Sequence, residues 1–463
     1  MVSTTSIDSS AIEGLRAAVR GTVITPATEG YDDARAVYNA MIDKHPGVVI
    51  RCQDVNDVIA GVNLGREQGL PVAIRGGGHN AAGLGTCDDG VVLDLGRMNG
   101  ARVDPDTGRV RVGGGAVWGD VDHATQPFGL AVPAGVISTT GVGGLTLGGG
   151  FGYLSRAYGL TCDNLLSADV VTADGKVVLA DNDHNPDLFW AIRGGGGNFG
   201  AVTSFEFQGR PVNMIHGGLL AYTIDKADAL MRLYREFIVD APRELGLFFG
   251  YTMAPPAPFV PDAFHFQPIA KIIFCYNGDE ETAKRLVAPF YEIGVALDLT
   301  GTMPIASLNS MFDGLFPAGM HDYWKADYDL EVSDAAINVH LDYGPKVPNP
   351  NSLMHLYSTN GAVQDIDPAA TAYSYRESTF NHVILSFDSD AKKMPANIEW
   401  VRNYWDALRP HSAGGAYVNF MMDEGGDRVQ ATYRDNYPRL QQVKAQYDPQ
   451  NVFRINQNIK PMA

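Results

Sequence analysis

No stretch of this chain is apolar for the ~18 or more residues that a membrane-crossing helix requires, so no span is expected. Basic clusters are missing too. Against 53 acidic residues there are only 35 basic ones, a formal net charge of −18. Such a surface repels phosphate, which argues against nucleic acid or an anionic membrane as partner. The start, MVSTTSIDSS, has no basic region followed by an apolar one. A secretory signal is therefore not expected, and a cytoplasmic location is. Cysteine is scarce. Cys52, Cys87, Cys162 and Cys275 are scattered without a CxxC pair, so neither a disulfide framework nor a metal site is expected. A GxxxxGK[ST] phosphate loop is also absent.

Glycine, by contrast, is abundant, with 52 residues concentrated in the first half. Three stretches stand out: RGGGHNAAG (75–83), GVGGLTLGGGFG (141–152) and RGGGGNFG (193–200). Successive backbone N–H groups in such turns make anion-binding nests, the chemistry a pyrophosphate needs. Arg75 could add charge. The third stretch matches GxGxxG, but AVTSFEFQ after it alternates as a strand does. A dinucleotide fingerprint needs a helix there, so a Rossmann site is rejected.

The wider pattern is α+β. Residues 45–210 read as short strands and turns, with hairpins around Asp106–Gly108 and Asp174–Gly175 and one helix behind an Asp54 cap. Regular β-α-β alternation is not expected. Near residue 212 the glycine density falls. From there strands such as ELGLFFGYTM and IAKIIFCYN pair off with amphipathic helices such as KADALMRLYREFIV. The C-terminal YRDNYPRLQQVKAQYDPQNVFRINQNI reads as a helix followed by an extended tail.

Together, RGGGH, VVLDL, GVGGLTLGGGFGYLSRAYGLTCDNL, LFWAIRGGGGNFGAVTSF and YDPQNVFRINQNI resemble the berberine bridge enzyme-like FAD-linked oxidases. These belong to the vanillyl-alcohol oxidase or p-cresol methylhydroxylase (PCMH) type of FAD-binding fold, and bacterial 6-hydroxy-D-nicotine oxidase is a similar relative. The resemblance implies a two-subdomain FAD-binding domain over 1–212 (core about 45–210). It also implies an α+β substrate domain, an antiparallel sheet with helices, over 213–405, and a segment over 406–463 returning to the first domain. It implies FAD attached covalently through His79, the histidine ending the RGGGH turn. Many relatives carry a second, cysteinyl link. The matching position here is about Ile137, and Cys162 lies in a different turn, so a single link is expected.

The cofactor-binding residues expected on this basis are Arg75, Gly76, Gly77, Gly78, His79, Asn80, Gly83, Gly135, Thr139, Thr140, Gly143, Gly144, Gly149, Gly152, Val202, Asn456 and Asn458. The expected catalytic residues are Tyr417, Asn419, Thr140 and His382. Tyr417 matches a family tyrosine that faces the flavin, and Asn419 shares its face if AYVNF is a strand. Thr140 matches a position that governs access of O2. The carboxylate base of some relatives falls near Ile384, and Phe151 stands where some carry a tyrosine. His382 is the remaining substrate-side candidate, on the opposite strand face from Asn381. Phe248, Phe249, Tyr251, Tyr276, Tyr323 and Trp324 are candidate walls for a flat substrate. The resemblance implies oxidation of a small organic molecule by hydride transfer to flavin, with O2 as acceptor and hydrogen peroxide as product. Alternatives are a dehydrogenase, an oxygenase, or a flavin-binding protein without turnover.

Overall fold

A computed structural model describes residues 7–462. Three sheets organise them. The first has four strands in the order Thr22–Ile24, Val48–Arg51, Val91–Asp94, Val72–Arg75. Its first pair is antiparallel and the other two are parallel. The helix Val55–Glu67 connects two of the parallel strands. It starts at Asp54, whose carboxylate accepts from the N–H groups of Asn56 and Asp57. The sequence reading did not expect parallel pairing. The short runs VVI, VA and VVL are buried on both faces, and such continuous burial is what a parallel sheet requires.

The second sheet is antiparallel, in the order Ala101–Val103, Arg109–Gly113, Ala201–Gln208, Leu165–Val171, Val177–Ala180. Both expected hairpins are in it. The segment after RGGGGNFG is a strand, Ala201–Gln208, with alternating burial over its second half.

The third sheet is antiparallel throughout, seven strands in the order Leu297–Pro304, Met214–Thr223, Pro268–Tyr276, Leu245–Met253, Leu353–Ser358, Phe380–Asp388, His321–Asp329. One face packs on the helices Ala227–Asp240, Glu280–Glu292, Asp334–Tyr343 and Met394–Leu408. The other looks toward the glycine-rich segments. Side chains alternate between these faces along each strand.

The chain ends by returning to the first sheet. After the helix Tyr437–Tyr447, the buried Asp448 accepts from Lys444 Nζ at 2.6 Å and from the N–H groups of Val452 and Phe453 at 2.8 Å. That turn sends Val452 and Phe453 into the core beneath the first sheet, where Val72 N–H donates to the Val452 carbonyl.

Candidate functional site

A cavity of about 530 Å³ lies between the glycine-rich segments and the open face of the seven-stranded sheet. At one end is the RGGGHN turn. Gly77 and Gly141 touch backbone to backbone there: a Cβ on Gly77 would fall 2.7 Å from Gly141 N. Gly78 takes φ +65°, a left-handed conformation that side chains resist. Among the described residues, none of the consecutive N–H groups of Gly76, Gly77, Gly78, His79 and Asn80 donates to a protein acceptor. Five free donors in a row suit an anionic group. Gly144 opens onto empty space, with no atom within 4 Å of where a Cβ would stand.

His79 ends this turn at the cavity wall. Its ring stacks on Tyr38, with centroids 3.9 Å apart and planes 26° from parallel. Its Nε2 is sealed from solvent and has no hydrogen-bond partner. Burial lowers its pKa to about 4, so the imidazole is neutral at ordinary pH and keeps a nucleophilic lone pair. Arg75 lines the cavity, but its guanidinium is committed elsewhere, to Asp94 at 3.0 Å and to the Ala34 and Ala36 carbonyls. The charge it was expected to offer an anion is already neutralised.

Tyr417 faces the same space. The segment holding it is not the strand expected but a bend into the 3-10 turn Val418–Phe420. The turn still brings Asn419 back to it. Asn419 Nδ2 donates to the Tyr417 hydroxyl at 2.7 Å and to the Leu145 carbonyl at 3.1 Å. Gly148 leaves room for this amide, since a Cβ there would sit 2.3 Å from its oxygen. Gly150, at φ +81°, donates its N–H to the same hydroxyl at 2.9 Å. Burial pushes the Tyr417 pKa up while these two donors pull it down, and burial is the larger effect. Phe151 lies between Tyr417 and Tyr357, at ring distances of 4.6 and 5.2 Å.

Of the other expected residues, Gly135, Thr140, Gly143, Val202 and Asn456 line the cavity. Gly83, Thr139, Gly149, Gly152 and Asn458 do not. Thr139 is exposed. The three glycines serve internal packing, their Cβ positions filled by Ile42, Tyr373 and the Ala134 carbonyl respectively. His382 is a correction. It projects from the helix-covered face of its strand, where its Nδ1 pairs with Asp329 at 2.7 Å. Ile384 shares that face, and the neighbours that reach the cavity are Val383, Leu385 and Phe387. Phe248 and Trp324 line the cavity, whereas Phe249, Tyr251, Tyr276 and Tyr323 pack toward the helices. Cys162 is fully buried outside it, and Ile137 lines it.

Sequence reasoning missed Tyr38, Lys271, His355, Tyr357, Tyr433 and Gln457, all of which line the cavity. A lone lysine inside the apolar strand IAKIIFCY, and a histidine and tyrosine two apart in LMHLYS, were the available signals.

Two family models match the chain: an FAD binding domain over residues 46–181, and berberine and berberine-like proteins over residues 416–460. Among its relatives, an FAD-linked oxidoreductase of Dictyostelium discoideum is 30% identical over 450 residues, covering 96% of this chain and 95% of that one. The (R)-6-hydroxynicotine oxidase of Paenarthrobacter nicotinovorans is 30% identical over 458 residues, covering 96% and 97%. The crystal structure of 6-hydroxy-D-nicotine oxidase from Arthrobacter nicotinovorans matches with a TM-score of 0.86 at 26% identity, over 96% of this chain and 98% of that one. A chitooligosaccharide oxidase shares the fold with a TM-score of 0.86 at 24% identity, over 98% and 100%. The protein is thus an FAD-dependent oxidoreductase with an α+β fold. It belongs to the berberine bridge enzyme-like FAD-linked oxidases.

Proposed function

We propose that the chain is an oxidase that holds FAD covalently through His79 alone and oxidises a small organic molecule, with O2 as acceptor and hydrogen peroxide as product. One observation carries this reading: a neutral imidazole with an unpartnered Nε2, on a glycine nest, shares a cavity with a doubly hydrogen-bonded tyrosine. FAD, when bound, supplies the two-electron acceptor for a substrate hydride and the onward reduction of O2.

The residues present fit that group. The free N–H groups of residues 76–80 suit its pyrophosphate, and His79 offers a ring nitrogen for the single bond. Asn456 donates to the Gly197 carbonyl at 3.1 Å and fixes the returning tail against the third glycine stretch. Tyr417 is the catalytic side chain on this reading. Burial keeps it a phenol, and because its oxygen accepts from the Asn419 and Gly150 N–H groups, its own O–H proton is left to share with a substrate heteroatom. Phe151 excludes a second tyrosine from this place. Thr140 controls approach of O2. Its hydroxyl makes no hydrogen bond within the protein among the described residues, which also supports a second reading as an oxygenase. The four buried, unpaired cysteines suit a reducing compartment such as the cytoplasm. Among the described residues no helix is long and apolar enough to cross a membrane.

The test is anaerobic mixing of the purified holoprotein with small aromatic alcohols, amines and sugars. An oxidase bleaches with its substrate, recovers in air and releases one peroxide per product. Recovery without peroxide but with oxygen in the product would assign the oxygenase. No recovery in air would assign a dehydrogenase.

A further inference from the structure

Across the cavity from the glycine cradle, the sheet presents a row that ordinary core packing does not explain. Pairing places Ala221, Lys271, Gly250, His355 and Val383 side by side on adjacent strands. The missing side chain of Gly250 leaves a gap that its neighbours fill. A Cβ there would lie 2.5 Å from His355 Cδ2 and 3.1 Å from Lys271 Cε. Lysine and histidine therefore converge over one glycine.

Both are buried, 6% and 8% exposed, and both are poorly satisfied. His355 shares a 2.9 Å hydrogen bond with the Tyr357 hydroxyl through Nδ1, and its Nε2 has no partner. Lys271 has no hydrogen bond or ion pair among the described residues. Burial alone draws its pKa down, to about 7. His355, on the strand beyond Gly250, is the titratable group of the sheet that faces it, with Tyr357 bonded to the far side of the imidazole. No aspartate or glutamate lines the cavity, and the other lining cation, Arg75, already has Asp94. A buried ammonium without a counter-ion is costly, and proteins retain such groups where something completes them. From this row the wall continues through Tyr357 and Phe151 to Tyr417, so whatever sits beside Lys271 is within the same chamber as the proposed catalytic tyrosine.

We propose that Lys271 and His355 recognise an ionised oxygen of the substrate, making the substrate class an organic acid, a carboxylate or acidic phenol, on a flat apolar body. The counter-ion missing from the cavity arrives with the substrate, and the aromatic walls of Phe248, Tyr357, Trp324 and Phe387 hold the rest of it. This rests on the oxidase reading, because it names the substrate of the same cavity.

The test is calorimetric titration of the purified holoprotein with matched pairs: benzoate and benzamide, phenylacetate and phenylacetamide, 3-phenylpropionate and its amide, 2,4-dinitrophenolate and 1,3-dinitrobenzene. At pH 6 at least one anion is expected to bind ten-fold or more tightly than its neutral partner. Which pair responds separates a carboxylate from a phenolate. The preference is expected to fall as pH rises from 6 to 9 and Lys271 loses its proton. It is expected to vanish in Lys271→Met. Equal affinities within every pair at pH 6 in the wild type would overturn the proposal without any variant, as would a preference that survives Lys271→Met in protein of unchanged circular dichroism. Binding is read without turnover, and flavin content is read separately by absorbance. A protein without flavin that still prefers anions would therefore sink the oxidase reading alone.

Discussion

Adjacent strands of one sheet carry two buried histidines with opposite surroundings. His382 and His355 lie on paired strands, where His355 registers with Val383 and His382 with Leu356. A one-residue offset sends them to opposite faces. On the helix-covered face, His382 meets the Asp329 carboxylate, whose charge raises the His382 pKa against the opposing effect of burial. Nearby, His340 bonds the Tyr404 hydroxyl at 2.6 Å. On the cavity face, His355 sits beside an ammonium, and burial together with that charge pushes its pKa well down. Burial is similar on both sides, but only one side supplies a counter-charge. His382 Nε2 and His355 Nε2 both lack a partner, so the difference lies in charge: the closed face supplies its own counter-ion, and the open face is left for a ligand to complete.

The largest effect is expected from breaking the closed face. His382→Ala strips Asp329 of its partner and should cost about 3–5 kcal/mol in urea unfolding, with flavin content per folded molecule unchanged. Loss of flavin at unchanged stability would return His382 to the site. Removing the open-face charge should do the reverse. A lysine pKa lowered from 10.5 to about 7 means that the unfolded chain binds the extra proton between those values. Lys271→Met should therefore stabilise the protein most below pH 7, by on the order of 3 kcal/mol after allowing for water in the cavity. The gain should shrink to nothing as pH rises to ~10.5. Thermal melts of both proteins at pH 6, 8 and 10 check this, and a gain independent of pH would mean that Lys271 is paired.

Within the chamber, Tyr417→Phe should lower the rate of flavin reduction about a hundred-fold, within the usual range for a proton-transfer group. Asn419→Ala removes one of the two donors on that hydroxyl and should cost about ten-fold. Rapid-mixing reduction kinetics would show both, and equal losses would make Asn419 more than a support for Tyr417. The smallest change is expected from Thr140→Val, within about three-fold in reoxidation by O2, since the two side chains are nearly equal in volume and the Thr140 hydroxyl makes no hydrogen bond within the protein among the described residues. A stopped-flow oxidation trace decides it, and a collapse in rate would assign the hydroxyl a chemical part.

The glycine-rich half was legible because its constraint is local. Backbone-to-backbone contacts and most positive-φ turns are written in glycine, so RGGGHN and GVGGLTLGGGFG announce themselves. The hairpins and the strand after RGGGGNFG followed from turn residues and alternation. The sheet's two faces were harder. Strand 380–388 is buried along its whole length, so hydrophobicity does not reveal which alternate set meets the cavity, and His382 was put on the wrong side. Lys271, Gly250 and His355 are far apart in sequence, and only strand order makes them neighbours. Tyr417 and Asn419 were paired on the assumption of a strand; a 3-10 turn brought them together instead.

The central claim is that His79 is the attachment point of a flavin in this cavity. The direct measurement is acid precipitation of the wild type and of His79→Ala, followed by absorbance of pellet and supernatant and mass mapping of the peptides. Expected are yellow colour in the wild-type pellet, flavin mass on the peptide containing His79 and on no other, and release of any flavin from His79→Ala into the supernatant. Flavin freed from the wild type, or found on the peptide containing Cys162, would contradict that claim.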